Sequence, residues 1–131
     1  MGDYVSTYAL LRAFFASIGQ TSVFRRPPSN LTLAVPVLVI ARIGGNDRTI
    51  TLDRPRAAID AYASDEDTAE ALGETVRTAM RTKARGFMYG GAVVGDVATF
   101  SGPQLLPWNA PNVFKVGASY QIVMHQYSGV S

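Results

Sequence analysis

At 131 residues the chain has the size of one domain built around one core. Its composition, 47% apolar and 17% charged, supplies enough apolar surface to offset chain entropy and so excludes disorder as the main state. A net charge of +2 is too weak for the single-sign patch of a dedicated nucleic-acid binder, and the absence of cysteine excludes disulfides and thiolate metal ligands.

The low charged fraction has two readings. Subunit contacts are depleted in charge at their centres, and a monomer coated with Ser, Thr, Gln and Gly would look the same. No apolar run approaches the roughly 20 residues that a membrane helix needs, and no secretory signal is visible. The patterns MGDYVS (myristoylation) and NLT at Asn30 (glycosylation) are short and common by chance, so they carry no argument.

Residues 3–18 are predicted to form a helix, with Asp3 capping its start and Gly19 just past its end. Val5, Tyr8, Leu11, Phe15 and Ile18 recur at helical spacing, and Leu10 and Phe14 widen that face. Val23 and Phe24 form a short extended piece, followed by an exposed loop from Arg25 to Asn30 carrying two prolines. AVPVLVIARI reads as a strand buried on much of both faces, with Pro36 near its start. GGND at 44–47 predicts a turn and an antiparallel return. Residues 49–53 belong to the return arm or to a loop, and Arg56 to Ala63 form the firmer strand. Its Ala57, Ile59 and Ala61 point one way, and Ala58, Asp60 and Tyr62 the other.

SDED opens a second helix, with Ser64 as the expected cap and Asp67 three residues on. Acids in its first turn and Arg77, Arg81 and Lys83 toward its end suit the helix dipole. Ala69, Leu72, Val76, Ala79 and Met80 make its buried stripe. FMYGGAVVGDVATF reads as a hairpin or a bulged, mobile arm, its glycines supplying flexibility. SGPQLLPWNAPN reads as a proline-rich connection carrying Trp108. In the last strand Phe114, Val116, Ala118, Tyr120, Ile122 and Met124 alternate with a mostly polar set ending at His125. The order predicts a single α+β domain over residues 1–131, a mainly antiparallel sheet with two helices packed on it.

No constellation points to catalysis, a cofactor or a metal. His125 is the only histidine and no nucleophile motif accompanies it. GGAVVG lacks the dinucleotide spacing, and the first-turn acids lack the pattern of a calcium loop. Arg25, Arg26, Arg54 and Arg56 read as exposed loop charge, as ion pairs across a subunit joint or, less simply, as phosphate contacts. Trp108 is either a lid on the core or an interface anchor.

The stretch PVLVIARIGGNDRTITLDRPRAAIDAYASDEDTAEALGETVRTAMR resembles the tail terminator proteins of long-tailed bacteriophages, and GPQLLPW…YQIVMHQY is similar to that family's final loop and strand. The RRPP loop departs from the pattern. The resemblance implies a small α+β subunit, similar to the terminator of phage lambda, that forms a hexameric ring in the virion after assembly in the host cytoplasm. Such a ring sits at the neck end of the tail, caps the tail tube, stops its polymerisation and offers a surface for head joining. Expected partners are sister copies, the tail tube protein and a head–tail connector protein. Genomic DNA would pass through the hole without specific binding. No reaction, cofactor or membrane is implied. Another neck, connector or tail completion protein of the same virion is the alternative, with a small enzyme or a DNA-binding domain behind it. The interface candidates are Arg25, Arg26, Arg54 and Arg56, the glycine-rich arm with Tyr89, Gly90, Gly91 and Gly95, and Trp108.

Overall fold

The computed structural model describes residues 6–30, 34–47, 52–106 and 112–126. Ser6 caps the first helix, α1 (Thr7–Ser17), by accepting a hydrogen bond from the Ala9 amide at 3.0 Å. The cap therefore lies three positions beyond the expected Asp3, which is outside the described residues. Leu10, Leu11, Phe14 and Phe15 form the buried face. Tyr8 and Ile18 flank it, half-buried, and Gly19 takes the positive φ of 93° that ends the helix.

Two strands extend further than the sequence suggests. After the short β1 (Val23–Phe24), β2 runs Val37–Asp47 and β3 runs Leu52–Ala63. The GGND segment is thus strand, with Gly44 opposite Arg56 and Asp47 opposite Asp53, and not the predicted turn. A register shift between Arg42 and Gly44 leaves Ile43 as the extra residue, and Gly44 and Gly45 pair with Arg56 and Pro55 directly after this bulge. The second helix, α2 (Glu66–Thr82), is capped by Asp65 and not by Ser64; its carboxylate accepts from the Thr68 amide at 2.8 Å. A longer acceptor reaching the third helical amide wins over the serine one position earlier.

Past α2, the short β4 (Met88–Tyr89) and β5 (Ala92–Leu106) form a hairpin, and β6 (Phe114–Gln126) completes the sheet. Gly90 and Gly91 both have positive φ, 57° and 89°, which a two-residue hairpin turn of the right twist requires. Of the two expectations for this segment, the hairpin is the one the structure has, with the glycines at its turn. The predicted connection after residue 100 is also strand: Gln104, Leu105 and Leu106 pair with Gly117, Val116 and Lys115. Three register shifts along β5 accommodate Gly95, Phe100 and the Gly102–Pro103 pair.

The strand order is β1-β2-β3-β6-β5-β4. Only the β1–β2 pair is parallel. Both helices cover one face. Leu38 and Ile40, Ala57, Ile59 and Ala61, and Ala118, Tyr120, Ile122 and Met124 meet the helices in one core. The α+β architecture and the alternation predicted for β3 and β6 hold, except that Phe114, expected inward, is 38% exposed at the start of β6. The sheet curls far enough that α1 touches both edge strands, β1 and β4. On the other face a smaller cluster gathers Val37, Val39, Tyr62 and Val113.

Helix α2 approaches the sheet closely at Gly73, where a Cβ would stand 2.7 Å from Val116 Cγ1. Beneath the same helix the Tyr120 ring is fully buried, and its hydroxyl has no hydrogen-bond partner among the described residues. Burial pushes its pKa up to about 12. Tyr120→Phe is therefore expected to leave stability unchanged or raise it by about 1 kcal/mol, because it removes a desolvated hydroxyl. Denaturant melts check this; a loss above about 1 kcal/mol would mean that the hydroxyl is bonded.

Candidate interface surfaces

The curl gathers one set of side chains around the outer flank of α1. Tyr8, Ala9, Arg12, Ala13 and Ala16 follow the helix period and share a stripe. Arg25, just past β1, and Tyr89, on β4, complete a hollow of about 470 Å³. Its geometry is fixed from below. The Tyr8 hydroxyl donates to the Val23 carbonyl at 3.2 Å, and the Arg25 guanidinium lies 4.6 Å from the Tyr8 ring centroid. Three alanines floor the hollow and leave room between the aromatic and cationic groups. Among the described residues neither Arg12 nor Arg25 has a carboxylate within ion-pair distance. Phe24 and Met88, the strand neighbours of Arg25 and Tyr89, are exposed, Met88 to 67%.

The helix-free face of the sheet holds a second set. Arg56 stands opposite Gln121, and its guanidinium lies 3.9 Å from the Phe100 ring centroid. The bulge between Thr99 and Ser101 turns Phe100 out to this position, where it is 59% exposed. Further along, Asp60 and Lys115 pair at 3.6 Å beside Tyr62. Burial raises the Asp60 pKa more than Lys115 lowers it, and burial with the nearby Asp60 charge pushes Tyr62 up to about 12. Gly95 lies against His125, whose ring would stand 2.9 Å from a Cβ there; the glycine makes room for the imidazole.

The outer side of α2 is acidic. Glu66, Asp67, Glu70 and Glu74 are exposed, and only Glu74 is ion-paired among the described residues, with Arg77 at 3.4 Å. Asp65 is committed to the cap. Its bonds from the Thr68 amide and hydroxyl lower its pKa.

The two aspartates should titrate in a set order. The raised Asp60 favours the fold when protonated, and that contribution is lost as pH rises through its folded pKa. The lowered Asp65 favours the fold when ionised, and that contribution is lost as pH falls through its folded pKa. In a carboxyl chemical-shift titration Asp60 is expected to protonate at higher pH than Asp65; the reverse order would contradict the burial described for Asp60.

The predicted candidates thus separate. Arg25 and Tyr89 meet in the hollow beside α1, and Gly90 and Gly91 hold Tyr89 there through the hairpin turn. Arg26 is exposed next to Arg25. Arg56 and Gly95 belong to the helix-free side of the sheet. Arg54 pairs with Asn46 in the backbone of β3, and its side chain lies outside the described residues, as does Trp108. Sequence reasoning missed Arg12, although Tyr8 and Arg12 sit one helical turn apart, and it missed Phe100, which nothing in the local pattern marks. Among the described residues no group of three or more His, Asp or Glu could hold a metal, and no helix is long and apolar enough to cross a membrane.

A family profile described as phage tail termination protein matches residues 7–130. No curated protein matches the chain. A solved structure described as the virion of a native gene transfer agent particle contains a chain of similar fold. The TM-score is 0.61 at 16% identity, over 90% of each chain.

Proposed function

The chain belongs to the phage tail termination protein family, a family of tail structural proteins in the virion, and on that footing we propose that its copies close into a ring, six to a ring, at the head-proximal end of the tail. The ring caps the tube, stops tube subunits from adding, and presents its far side to the connector of the filled head. DNA crosses the central hole without base-specific contacts. The work is done by burial and shape, and no bond is made or broken.

One observation carries this reading. A single subunit leaves large apolar side chains uncovered on separate sides: Met88 and Tyr89 beside α1, and Phe100 and Leu105 along β5. Isolated exposed apolar residues are ordinary. Here two of them keep company with arginine, Tyr89 sharing a hollow with Arg25 and Phe100 lying under Arg56, the mixture enriched where proteins meet. Two separate surfaces are what a head-to-tail contact needs, and such contacts repeat into rings when the rotation closes.

Electron microscopy of particles made without this protein tests the reading. Tails of uncontrolled length, or finished tails that fail to join heads, are expected. Normal infectious particles would refute it.

A further inference from the structure

We propose that the hollow beside α1 receives the acidic outer side of α2 from a second copy of this chain; this contact joins neighbours in the ring and so rests on the ring reading above.

The argument begins with unpaired charge. The hollow holds Arg12 and Arg25, both exposed and both without a carboxylate among the described residues. On α2, Glu66 and Glu70 lie one turn apart on the same side, with Asp67 beside them. All three are exposed and unpaired among the described residues. One chain therefore carries both halves of an ion-pair set and leaves both unused.

The fold explains why they do not meet within a copy. Glu70 lines a cleft with Pro103, Gln104 and Leu105 of β5, and no residue of the hollow belongs to that cleft. The Tyr8–Ala16 stripe of α1 faces the hollow, while Ile18 past the end of α1 borders the groove shared with Ala71, Thr75 and Thr78 of α2. The hollow and the acids thus belong to separate parts of the surface, one beside α1 and the other where α2 meets β5, as a head-to-tail contact requires.

Charge alone would hold such a contact weakly, since exposed pairs are screened. The rim adds what charge lacks. Tyr89 lines the hollow and the exposed Met88 precedes it, while the stacked Tyr8 holds the Arg25 guanidinium in place before docking. An acidic helix laid against this rim would bury aromatic and thioether surface and convert screened charges into partly desolvated ones.

Charge exchange tests the pairing. One variant carries Arg12→Glu and Arg25→Glu, the other Glu66→Lys and Glu70→Lys. All four positions are exposed, so the arginine variant is expected to melt close to the parent and the lysine variant slightly below it, since Glu66 also suits the helix dipole. Assembly is measured by sedimentation velocity and native mass spectrometry on full-length protein, alone and with isolated tail tubes. Each variant alone sets like charge against like charge and is expected to dissociate at least about tenfold more readily than the parent. An equimolar mixture sets unlike charges together at every joint. It is expected to recover the parent oligomer with equal content of the two.

Parent-like assembly by both variants overturns the proposal. So does a defect confined to the arginine variant, which would assign the hollow to an acidic partner other than this chain, or a mixture that fails to recover. A parent protein that stays single both alone and on tubes removes the ring itself. A ring indifferent to both variants removes only this contact.

Discussion

Phe14→Ala is expected to lower stability by about 3–5 kcal/mol and the melting temperature by roughly 10–20 °C. Phe14 is 2% exposed, and its ring lies 5.2 Å from Phe15 and 5.4 Å from Phe87, the latter edge-on. Phe15 is held by the same helix, but Phe87 comes from the segment leading into β4. Truncation would therefore leave a cavity where α1 meets the far edge of the sheet, and close-packed neighbours cannot easily collapse into it. Phe24→Ala at an exposed position of β1 is the control, expected to cost less than about 1 kcal/mol. Chemical denaturation of both variants checks the pair; a loss for Phe14→Ala no greater than the control's would mean that α1 is not packed against β4 as described.

Gly117→Val is the second large effect, at about 1–3 kcal/mol or more. A Cβ at Gly117 would collide with the Leu106 side chain and stand 2.6 Å from Asp60 Oδ1. The leucine could turn aside at some cost in packing. The carboxylate is less free, because it holds Lys115 at 3.6 Å in a half-buried pair. Displacing it would separate two charges that the sheet has already partly removed from water. A thermal melt of Gly117→Val matching the parent would show that Leu106 and Asp60 can move without penalty.

The parts of the fold most legible in the sequence were those with strict periods. The alternation in β6 and in the second half of β3 placed the inward residues correctly except Phe114 at the start of β6, which is 38% exposed, since a one-residue slip would turn apolar side chains to water. The helices were legible from their stripes, though not their caps. Asp65 stands beside another good capping residue, Ser64, and α1 starts three positions later than Asp3 would set it, so the local capping chemistry did not fix either start. Gly44–Gly45 and Gly102–Pro103 misled for a different reason. Local chemistry marks both as breaks, and cross-strand pairing to β3 and β6 overrides it through bulges.

The candidate surfaces were legible only residue by residue. Arg25, Tyr89 and Arg56 stood out as types, but the company they keep depends on contacts across the curled sheet. Arg25 and Tyr89 belong to opposite edges of the strand order, and only α1 between those edges brings them together. Arg56 meets Phe100 because only one strand, β6, lies between theirs. Neither distance can be read from spacing along the chain.

The bridging position of α1 also bears on how the subunit is made. The helix leaves the ribosome ahead of the whole sheet, and its partner Phe87 comes from much later in the chain. At roughly 5–20 residues per second of translation, Leu10, Leu11, Phe14 and Phe15 wait several seconds for the last part of their cover. During that interval the nascent chain offers a greasy helix to chaperones, and to any other nascent copy on the same message.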